Sequence, residues 1–375
     1  MNKIFAASLA LLAIAPATLS AQEESNTMIV NLKNGSTVEY QLSDIQNIRF
    51  REAAPQPQGI NATIAIPSSF TSGWVQKVML DGKQVAELCR EYIKALTAQR
   101  DVIYPCDDEG KADLTKGMTT RGETVVWDLE KNTATVTGTP AAEAATTMYL
   151  ADGAVSLTPG NGTKEASLTP DVIVDRRGTE TNTYTIVKIA TQYWMAENLR
   201  ATKYIDGTAI ASISETDSEA WSANTAGAYL TDSETDWVKI AGYLYNGYTV
   251  TSSHGIAPAG WAVPTRDELV KLRSAGSLLT ANFKDSAPGT WSTGTEGNNI
   301  TGFSAVATGY YSTATNLTAM FSDTYFWSST TFYDAIFKKN GLETFRILGS
   351  AKNTAVSTQA GHDMLFGHCI RCIRR

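Results

Sequence analysis

Residues 264–276 read PTRDELVKLRSAG, and this stretch decides the fold class that we expect for the C-terminal half of the chain. Thr265 can cap the free amides of a helix while Glu268 reaches back to it, which is the capping-box pattern. Gly276 suits a left-handed stop at the other end of that helix. Beyond Gly276, short runs are broken by Gly, Asn, Ser and Thr. The pattern predicts an α+β domain, rich in loops, over residues 183–375.

The preceding region, residues 60–157, is expected to be mainly β with one helix. Strand-like runs lie at 63–66, 75–80, 124–127 and 133–137, and residues 129–132 would join the last two as a hairpin. Between residues 85 and 96, apolar side chains recur at three- and four-residue steps. This period predicts a helix with Cys89 on its apolar stripe.

The first residues have the features of a signal peptide, which we assign to residues 1–21. Lys3 supplies a positive start, residues 4–16 are apolar but too short to span a bilayer, and small residues lead to cleavage after Ala21. We therefore expect an exported protein at the cell surface, associated with the outer membrane, or outside the cell. Contact with a membrane is expected only through export or through a partner.

Residues 22–50 are expected to form a short β-hairpin unit. Apolar residues alternate on both sides of Asn34-Gly35, a pair that tolerates the positive φ angles of a tight turn. The proline-containing stretch 51–59 is interpreted as a linker. Residues 158–182 are rich in Thr, Gly, Pro and charge, and we interpret them as a second linker.

Composition argues against several classes of function. The 375 residues carry a formal charge of −7, and this acidity argues against nucleic acid as a partner. Three His and four Cys leave few choices for metal or thiol chemistry. Of the aromatic residues, 25 follow residue 180, so we expect a well-filled core there, with Trp194, Trp261 and Trp327 inside it.

Seven short motifs follow one another in the C-terminal half. They are TIVKIATQYWMAENL at 185–199, YIDG at 204–207, GYLYN at 242–246, IAPAGWAVPT at 256–265, GFSA at 302–305, FWSST at 326–330 and CIRCIR at 369–374. Together they resemble the Fibrobacter succinogenes major paralogous domain. Two positions depart from that pattern, since Ala262 stands for a common His and Cys369 for a common Ser. The matching structural positions are Trp194, Asn198, Leu199, Tyr245, Asn246, Trp261, Pro264, Phe303, Trp327, Arg371 and Cys372.

The resemblance implies a fold and a location more than an activity. It implies a C-type-lectin-like fold, with one or two helices, twisted antiparallel strands and long loops, in a surface or secreted protein of the Bacteroidetes type. No general catalytic set is attached to the family. We therefore expect neither an enzyme nor a bound cofactor or metal.

Two sets of side chains could nevertheless offer metal ligands. The first, near Trp327 and in a loop, comprises Asp323, Asp334, Glu296, Asn298 and Asn299. These residues could bind calcium, but they lack the sequence patterns of calcium-dependent sugar-binding lectins. The alternative is that they belong to solvated polar loops. The second, in the tail, comprises His362, His368, Cys369 and Cys372. One interpretation of these four residues is a zinc site. The other is that the cysteines belong to the last strand and the histidines lie on the surface.

The cysteines leave further alternatives open. Cys89 and Cys106 are the more reasonable disulfide pair, because a helix ending near Gln99 could bring Cys106 back beside Cys89; otherwise Cys89 is a small apolar core residue. If residues 369–374 form the closing strand that the resemblance implies, Cys369 and Cys372 face opposite ways, about 10 Å apart. A disulfide needs less than about 7 Å, so these two should not pair.

Three functions remain open at this point. The leading one is an exported, surface-associated binding or adhesion module that presents its C-terminal domain to a glycan or a surface protein. The second is a structural subunit of a surface assembly such as a pilus tip. The third is a copper-thiol oxidase of the formylglycine-generating type, although its two Cys would be separated by four residues and here they are separated by two.

Overall fold

A computed structural model describes residues 27–31, 36–41, 43, 62–66, 74–143, 145–151, 154–156, 164–231, 235–277, 279–335, 338–349 and 357–375. The chain divides into two compact units, residues 1–58 and residues 59–375. The signal peptide predicted at 1–21 and the linker predicted at 51–59 lie outside the described residues.

The first unit contains the predicted hairpin. Strands β1 (Thr27–Asn31) and β2 (Thr37–Gln41) pair antiparallel, with Val30 opposite Val38 and Met28 opposite Tyr40. The alternation of apolar residues therefore predicted both strands. The Asn34-Gly35 turn itself lies outside the described part of the chain.

The N-terminal part of the second unit is a sheet of ten strands, which we call the N-terminal sheet. Its strands are β3 (Ala62–Ala65), β4 (Val75–Leu80), β5 (Lys83–Ile93), β6 (Ala98–Pro105), β7 (Gly117–Thr119), β8 (Thr124–Asp128), β9 (Thr133–Thr137), β10 (Thr147–Ala151), β11 (Ala154–Ser156) and β12 (Lys164–Pro170). Their spatial order is β11-β10-β3-β12-β4-β5-β6-β7-β8-β9, antiparallel except for the pair β12 and β3. The predicted hairpin at 129–132 is present, since Asp128 pairs with Thr133.

The helix predicted between residues 85 and 96 is wrong, because this segment is the long strand β5. β5 buries both of its faces: Leu88 packs into one apolar cluster and Cys89 into another. A strand that is apolar on both faces loses the two-residue alternation that marks a half-buried strand. Its apolar residues then fall at three- and four-residue steps by coincidence.

Two further sheets form most of the chain that follows β12, which we call the C-terminal segment. The first has the order β13-β14-β15-β26-β19 and consists of β13 (Val172–Arg177), β14 (Glu180–Ile189), β15 (Gln192–Met195), β19 (Trp261–Ala262) and β26 (Ile373–Arg374). The second consists of β16 (Ala211–Ser214), β17 (Ala228–Thr231), β18 (Tyr245–Asn246), β20 (Thr308–Ser312), β21 (Asn316–Met320), β22 (Asp323–Asp334), β23 (Lys339–Leu348), β24 (Ser357–Asp363) and β25 (Gly367–His368). β22 and β23 pair over most of their length.

The described residues contain four short helices: α1 (Ser218–Ala223), α2 (Thr235–Ala241), α3 (Gly247–Thr251) and α4 (Arg266–Ala275). Strands make up 49% and helices 12% of the described residues, so this part of the chain is β-rich and the α+β fold class expected for it is wrong. The sequence signal of α4 is clear, and it led us to expect a larger share of helix than the structure contains. The numerous short strands around it carry weak signals individually, although together they make up most of the regular structure.

Helix α4 begins and ends at the residues that the sequence predicts, although the conformation predicted for Gly276 is wrong. Thr265 is its N-cap, and the reciprocal hydrogen bonds with Glu268 complete a capping box. Gly276 ends the helix, but with φ of −82° rather than in the left-handed region. A glycine fits there for another reason: a Cβ at this position would lie 2.1 Å from the Phe283 ring. Ser277 is the residue that takes a positive φ of 57°.

The segment 158–182, which we interpreted as a linker, carries the strands β12 and β13 in its described part. These strands sit in the N-terminal sheet and in the first C-terminal sheet respectively. One apolar cluster accordingly includes Val75, Tyr104 and Trp127 as well as Ile186 and Met195. The two regions share a core within one compact unit.

A buried ion pair also joins the N-terminal sheet to β14. The Lys188 ammonium donates to one carboxylate oxygen of Glu91, and both side chains are 0% exposed. Lys188 also donates to the carbonyl of Ala190 at 2.6 Å. The Tyr104 hydroxyl donates to the other oxygen of Glu91, and Trp127 Nε1 donates to that hydroxyl at 2.8 Å. Both buried charges therefore have hydrogen-bonding partners.

We expect Lys188→Met to lower the free energy of unfolding by about 3–5 kcal/mol, because Glu91 would remain buried without its counter-charge. Urea unfolding measures this loss. The double variant Lys188→Met/Glu91→Leu should recover at least about 2 kcal/mol of it, since two apolar side chains can replace a buried pair. The two residues would not be coupled if the double variant lost as much free energy of unfolding as Lys188→Met and Glu91→Leu lose together as single variants.

Candidate functional site

The family-type motifs meet in a buried polar cluster around Arg371. This guanidinium is 2% exposed and donates to Asn198 Oδ1 at 2.6 Å, to the Ser304 carbonyl at 2.9 Å and to the Phe303 carbonyl. Asn198 in turn donates to the Ala241 carbonyl at 2.7 Å. These acceptors lie on loops of the chain and, for Ala241, at the end of helix α2, so the cluster fixes the shape of the domain.

A second motif cluster surrounds the start of helix α3. Asn246 caps the helix, and its Oδ1 accepts from the backbone amides of Thr249 at 3.0 Å and Ala228 at 3.1 Å. Trp327 Nε1 donates to the Tyr245 carbonyl at 2.7 Å. The buried Tyr245 hydroxyl donates to the Ala201 carbonyl at 2.8 Å. These motif residues therefore hold strands and loops together.

The other motif residues are mainly core residues. Those with 0% exposure are Trp194, Leu199, Phe303, Trp327 and Cys372. Pro264 is buried, and its carbonyl accepts from the Ser329 amide at 2.8 Å. Trp261 differs, because it is only half-buried and faces the Arg374 guanidinium, whose carbon lies 5.4 Å from its ring centre.

The cysteines are free thiols. Cys89 pairs with Val102, whereas the Cys106 amide donates to the carbonyl of Val85, which precedes Cys89 by four residues in β5. The strand register thus separates the two residues, and the proposed Cys89–Cys106 bridge is not formed. Cys369 and Cys372 belong to different apolar clusters, in keeping with the expectation that they do not pair.

The candidate metal ligands do not converge. Asp323 pairs with Arg346 at 2.7 Å, and Glu296 accepts from the Gly294 amide at 2.8 Å. Asn298 and Asn299 bond to neighbouring residues of their own loop region. In the part of the chain that is described, three or more His, Cys, Asp or Glu side chains do not come together as a metal site.

The two tail histidines form a buried pair among aromatic rings. His362 Nδ1 and His368 Nε2 are 2.7 Å apart, and His368 is 0% exposed. Burial lowers the pKa of His362 to about 4, helped by the positive charge of Arg346. Burial lowers the pKa of His368 well below its usual value, with His362 adding to the effect. Near neutral pH both rings are therefore uncharged.

A large open site lies along the border between the N-terminal sheet and the C-terminal segment. We call it the junction groove, a cleft of about 870 Å³. Its lining comes from β4, β5, the 109–115 loop, residues 191–193, α4 and the last three residues. The polar and aromatic side chains of this lining include Lys77, Glu87, Glu109, Lys111, Asp171, Gln192, Tyr193, Lys271 and Arg374. Acidic and basic groups alternate along it, with one aromatic side chain among them.

Arg374 is the centre of this groove. It forms ion pairs with Asp171 and, at 3.7 Å, with Glu87, and its carbon lies 4.6 Å from the Tyr193 ring centre. The Tyr193 hydroxyl donates to Glu87. Burial raises the pKa of Glu87 in spite of the lowering effects of Tyr193 and Arg374. These side chains are held in place before any ligand arrives.

Gln192 adds an acceptor that has no partner. Its Oε1 is buried and accepts no hydrogen bond from the described residues. A buried amide oxygen without a donor costs free energy, so a ligand that supplies an N–H or O–H group would be favoured at this point.

Sequence reasoning missed Glu87 and Asp171 as groove residues. Glu87 was placed on a helix and Asp171 in a linker, so neither was expected beside Arg374. A signal was present, however, because Glu87, Arg90 and Glu91 interrupt an otherwise apolar run. Charged residues in such a run are seldom buried unless they are paired.

The comparisons with known proteins identify a family. A family model described as the Fibrobacter succinogenes major domain matches residues 187–374, half of the chain. The chain therefore belongs to this family, and the resemblance read from its motifs is confirmed. No curated protein and no solved structure matches the chain. None of the helices in the described residues is both long and apolar enough to cross a membrane.

We expect Arg371→Lys to lower the free energy of unfolding by about 3 kcal/mol or more, because each buried acceptor left unpaired costs about 1–3 kcal/mol. A lysine ammonium cannot reproduce the planar fork of a guanidinium. The matched control is Arg121→Lys, since Arg121 is exposed. Equal stability of the two variants in urea unfolding would contradict a structural role for Arg371.

The histidine pair should make stability depend on pH. An unfolded His binds a proton near pH 6.5, whereas burial lowers the pKa of His362 to about 4 and that of His368 well below its usual value. The contribution of the two rings to the free energy of unfolding is fully present above pH 6.5. It is lost as the pH falls toward 4, at about 1.4 kcal/mol per pH unit for each ring.

Urea unfolding at pH 7 and pH 5 measures this dependence. His362→Asn/His368→Gln should flatten it, because neither amide titrates in this range. His254→Asn is the control, since His254 is 47% exposed beside Asp206. A double variant with the wild-type pH dependence would show that other groups cause it.

Proposed function

We propose that this protein is an exported, surface-associated binding module that contacts a glycan or a surface protein through the junction groove. The observation that carries the proposal is the groove itself, with its fixed Arg374, Asp171, Glu87 and Tyr193 side chains. Ligand sites are typically clefts of about 300–1,000 Å³ with a few positioned polar groups, and the volume of about 870 Å³ falls in that range.

The chemistry of the groove suits a neutral polar ligand. Arg374 is paired with Asp171 and Glu87, and Lys77 also pairs with Asp171 at 3.3 Å, so two positive and two negative groups balance in this part of the groove. Gln192 Oε1 offers an acceptor, and the half-buried Tyr193 offers an aromatic ring. Sugar hydroxyls and peptide amides both supply donors to such acceptors. Export rests on the leader-like residues 1–21 and remains part of the proposal.

A structural subunit of a surface assembly is the second candidate. It is favoured by the hairpin of the first unit, where β1 pairs with β2 in a sheet of two strands. Ile29 is 56% exposed and Val38 is 36% exposed on these strands. A hairpin alone is marginal in water, and an added strand from a partner would stabilise it.

The copper-thiol oxidase receives no support from the cysteines. Burial raises the pKa of the Cys369 thiol to about 11 and that of the Cys372 thiol to about 12. Thiolates are the reactive and metal-binding form, and burial disfavours it here. The two thiols also face different apolar clusters.

Binding of the purified exported chain to a glycan array tests the proposal. Lys111→Ala and Glu109→Ala alter exposed groove side chains and should weaken binding about tenfold, the effect of losing a hydrogen bond to a charged group. The matched controls Lys338→Ala and Glu165→Ala lie on exposed positions outside the groove lining and should leave affinity unchanged.

The outcomes separate the alternatives. A bound glycan whose affinity is equal in groove and control variants would contradict the groove assignment. If no glycan binds, a photoreactive amino acid at position 111 should crosslink a surface protein on intact cells, and the same residue at position 338 should not. Failure of both experiments would reject the binding module.

A further inference from the structure

A second cavity lies at the same border as the junction groove, next to the β8–β9 hairpin. We call it the junction cavity; its volume is about 400 Å³. Trp127 and Tyr92 of the N-terminal sheet and Val270 and Ala275 of α4 supply apolar walls, together with Ala134 of β9. Most of the cavity surface is therefore apolar, and its size suits a small molecule rather than a macromolecule.

The charged groups around this cavity all have the same sign. Lys94, Lys131 and Lys271 belong to its lining, and the described lining contains no carboxylate. Lys94 Nζ contacts the Ser274 carbonyl at 3.4 Å. Lys131 is paired outside the lining with Asp128 at 2.8 Å. Lys94 and Lys271, together with the Asp128-paired Lys131, therefore give the rim of this apolar space a net positive charge.

The walls are held in place by hydrogen bonds. Trp127 Nε1 donates to the buried Tyr104 hydroxyl at 2.8 Å, which fixes the indole ring. Asn132 Oδ1 accepts from the Thr191 amide at 3.1 Å, and Asn132 Nδ2 donates to the Lys271 carbonyl at 3.3 Å. The hairpin is thus fastened to both α4 and the C-terminal segment, and the cavity exists before a ligand binds.

We propose that the junction cavity binds a small apolar carboxylic acid with an aromatic body. The aromatic body would occupy the space between Trp127, Tyr92 and the α4 side chains, and its carboxylate would face the lysine rim. Burial of the apolar body supplies the driving force, and the ammonium groups select an anion over a neutral molecule of the same shape. This site is separate from the macromolecular binding proposed for the junction groove, and only Lys271 among these lysines lines both.

Titration calorimetry of the exported chain with 2-naphthoate tests the proposal, with 2-naphthamide as a neutral probe of the same shape. We expect 2-naphthoate to bind about tenfold more tightly, the effect of a charge-assisted contact. Equal affinity of the two probes would overturn the anion selectivity. No binding of 2-naphthoate at all would overturn the site.

Variants locate the binding. Ala134→Leu fills the cavity and should abolish binding of 2-naphthoate. Thr135→Leu adds the same side chain on the exposed face of the same strand and should leave it unchanged. Circular dichroism verifies that both variants fold; if Ala134→Leu does not fold, the lysine variants described next decide.

Lys94→Gln/Lys131→Gln should weaken 2-naphthoate binding about tenfold and leave 2-naphthamide unchanged. Lys338→Gln is the control for a lysine outside the cavity. Both variants leave Lys271 and the rest of the groove lining intact, so glycan or protein binding at the groove should persist. Unchanged 2-naphthoate binding in the double variant, or in a folded Ala134→Leu, would reject the proposal.

Discussion

The Lys188–Glu91 ion pair constrains residues 59–375, because two charges removed from water must keep each other as partners. Breaking such a pair costs about 3–5 kcal/mol. β5 must therefore present Glu91 to β14 in one register, and its pairing with β6 brings the Tyr104 hydroxyl to the same carboxylate. The N-terminal sheet and the C-terminal segment consequently form one core. The junction groove and the junction cavity are features of that shared border.

Elements governed by local chemistry could be predicted from the sequence, and elements governed by distant partners could not. The capping box of Thr265 and Glu268 is local, and so is the hairpin at 129–132, so both appear where they were expected. β5 is different, because its apolar pattern reflects burial on two faces. Only the structure shows that Leu88 and Cys89 pack into separate clusters. The same misreading led to an expected bridge between Cys89 and Cys106.

The motif residues stabilise the fold, whereas the groove residues line an open site. Asn198 and Arg371 use their polar atoms on the chain's own carbonyls, so they have little capacity left for a ligand. Sequence motifs of this kind predict the family and its core, as the match to residues 187–374 shows. They do not predict the groove, since Glu87 and Asp171 lie outside the matched region and become neighbours of Arg374 only after folding.

This separation implies that family membership alone does not define the ligand. Helix α4 supplies part of the wall of both the groove and the cavity, and the last residues of the chain add to the wall of the groove. The opposite wall comes from the N-terminal sheet, which contributes Glu109 and Lys111 to the groove and Lys94 and Lys131 to the cavity rim. A ligand in either site would contact both walls, and its chemistry would be selected by charges that the family match does not cover. The same family domain joined to another sheet would therefore present a different site, and the core that it shares with that sheet would have to be packed anew.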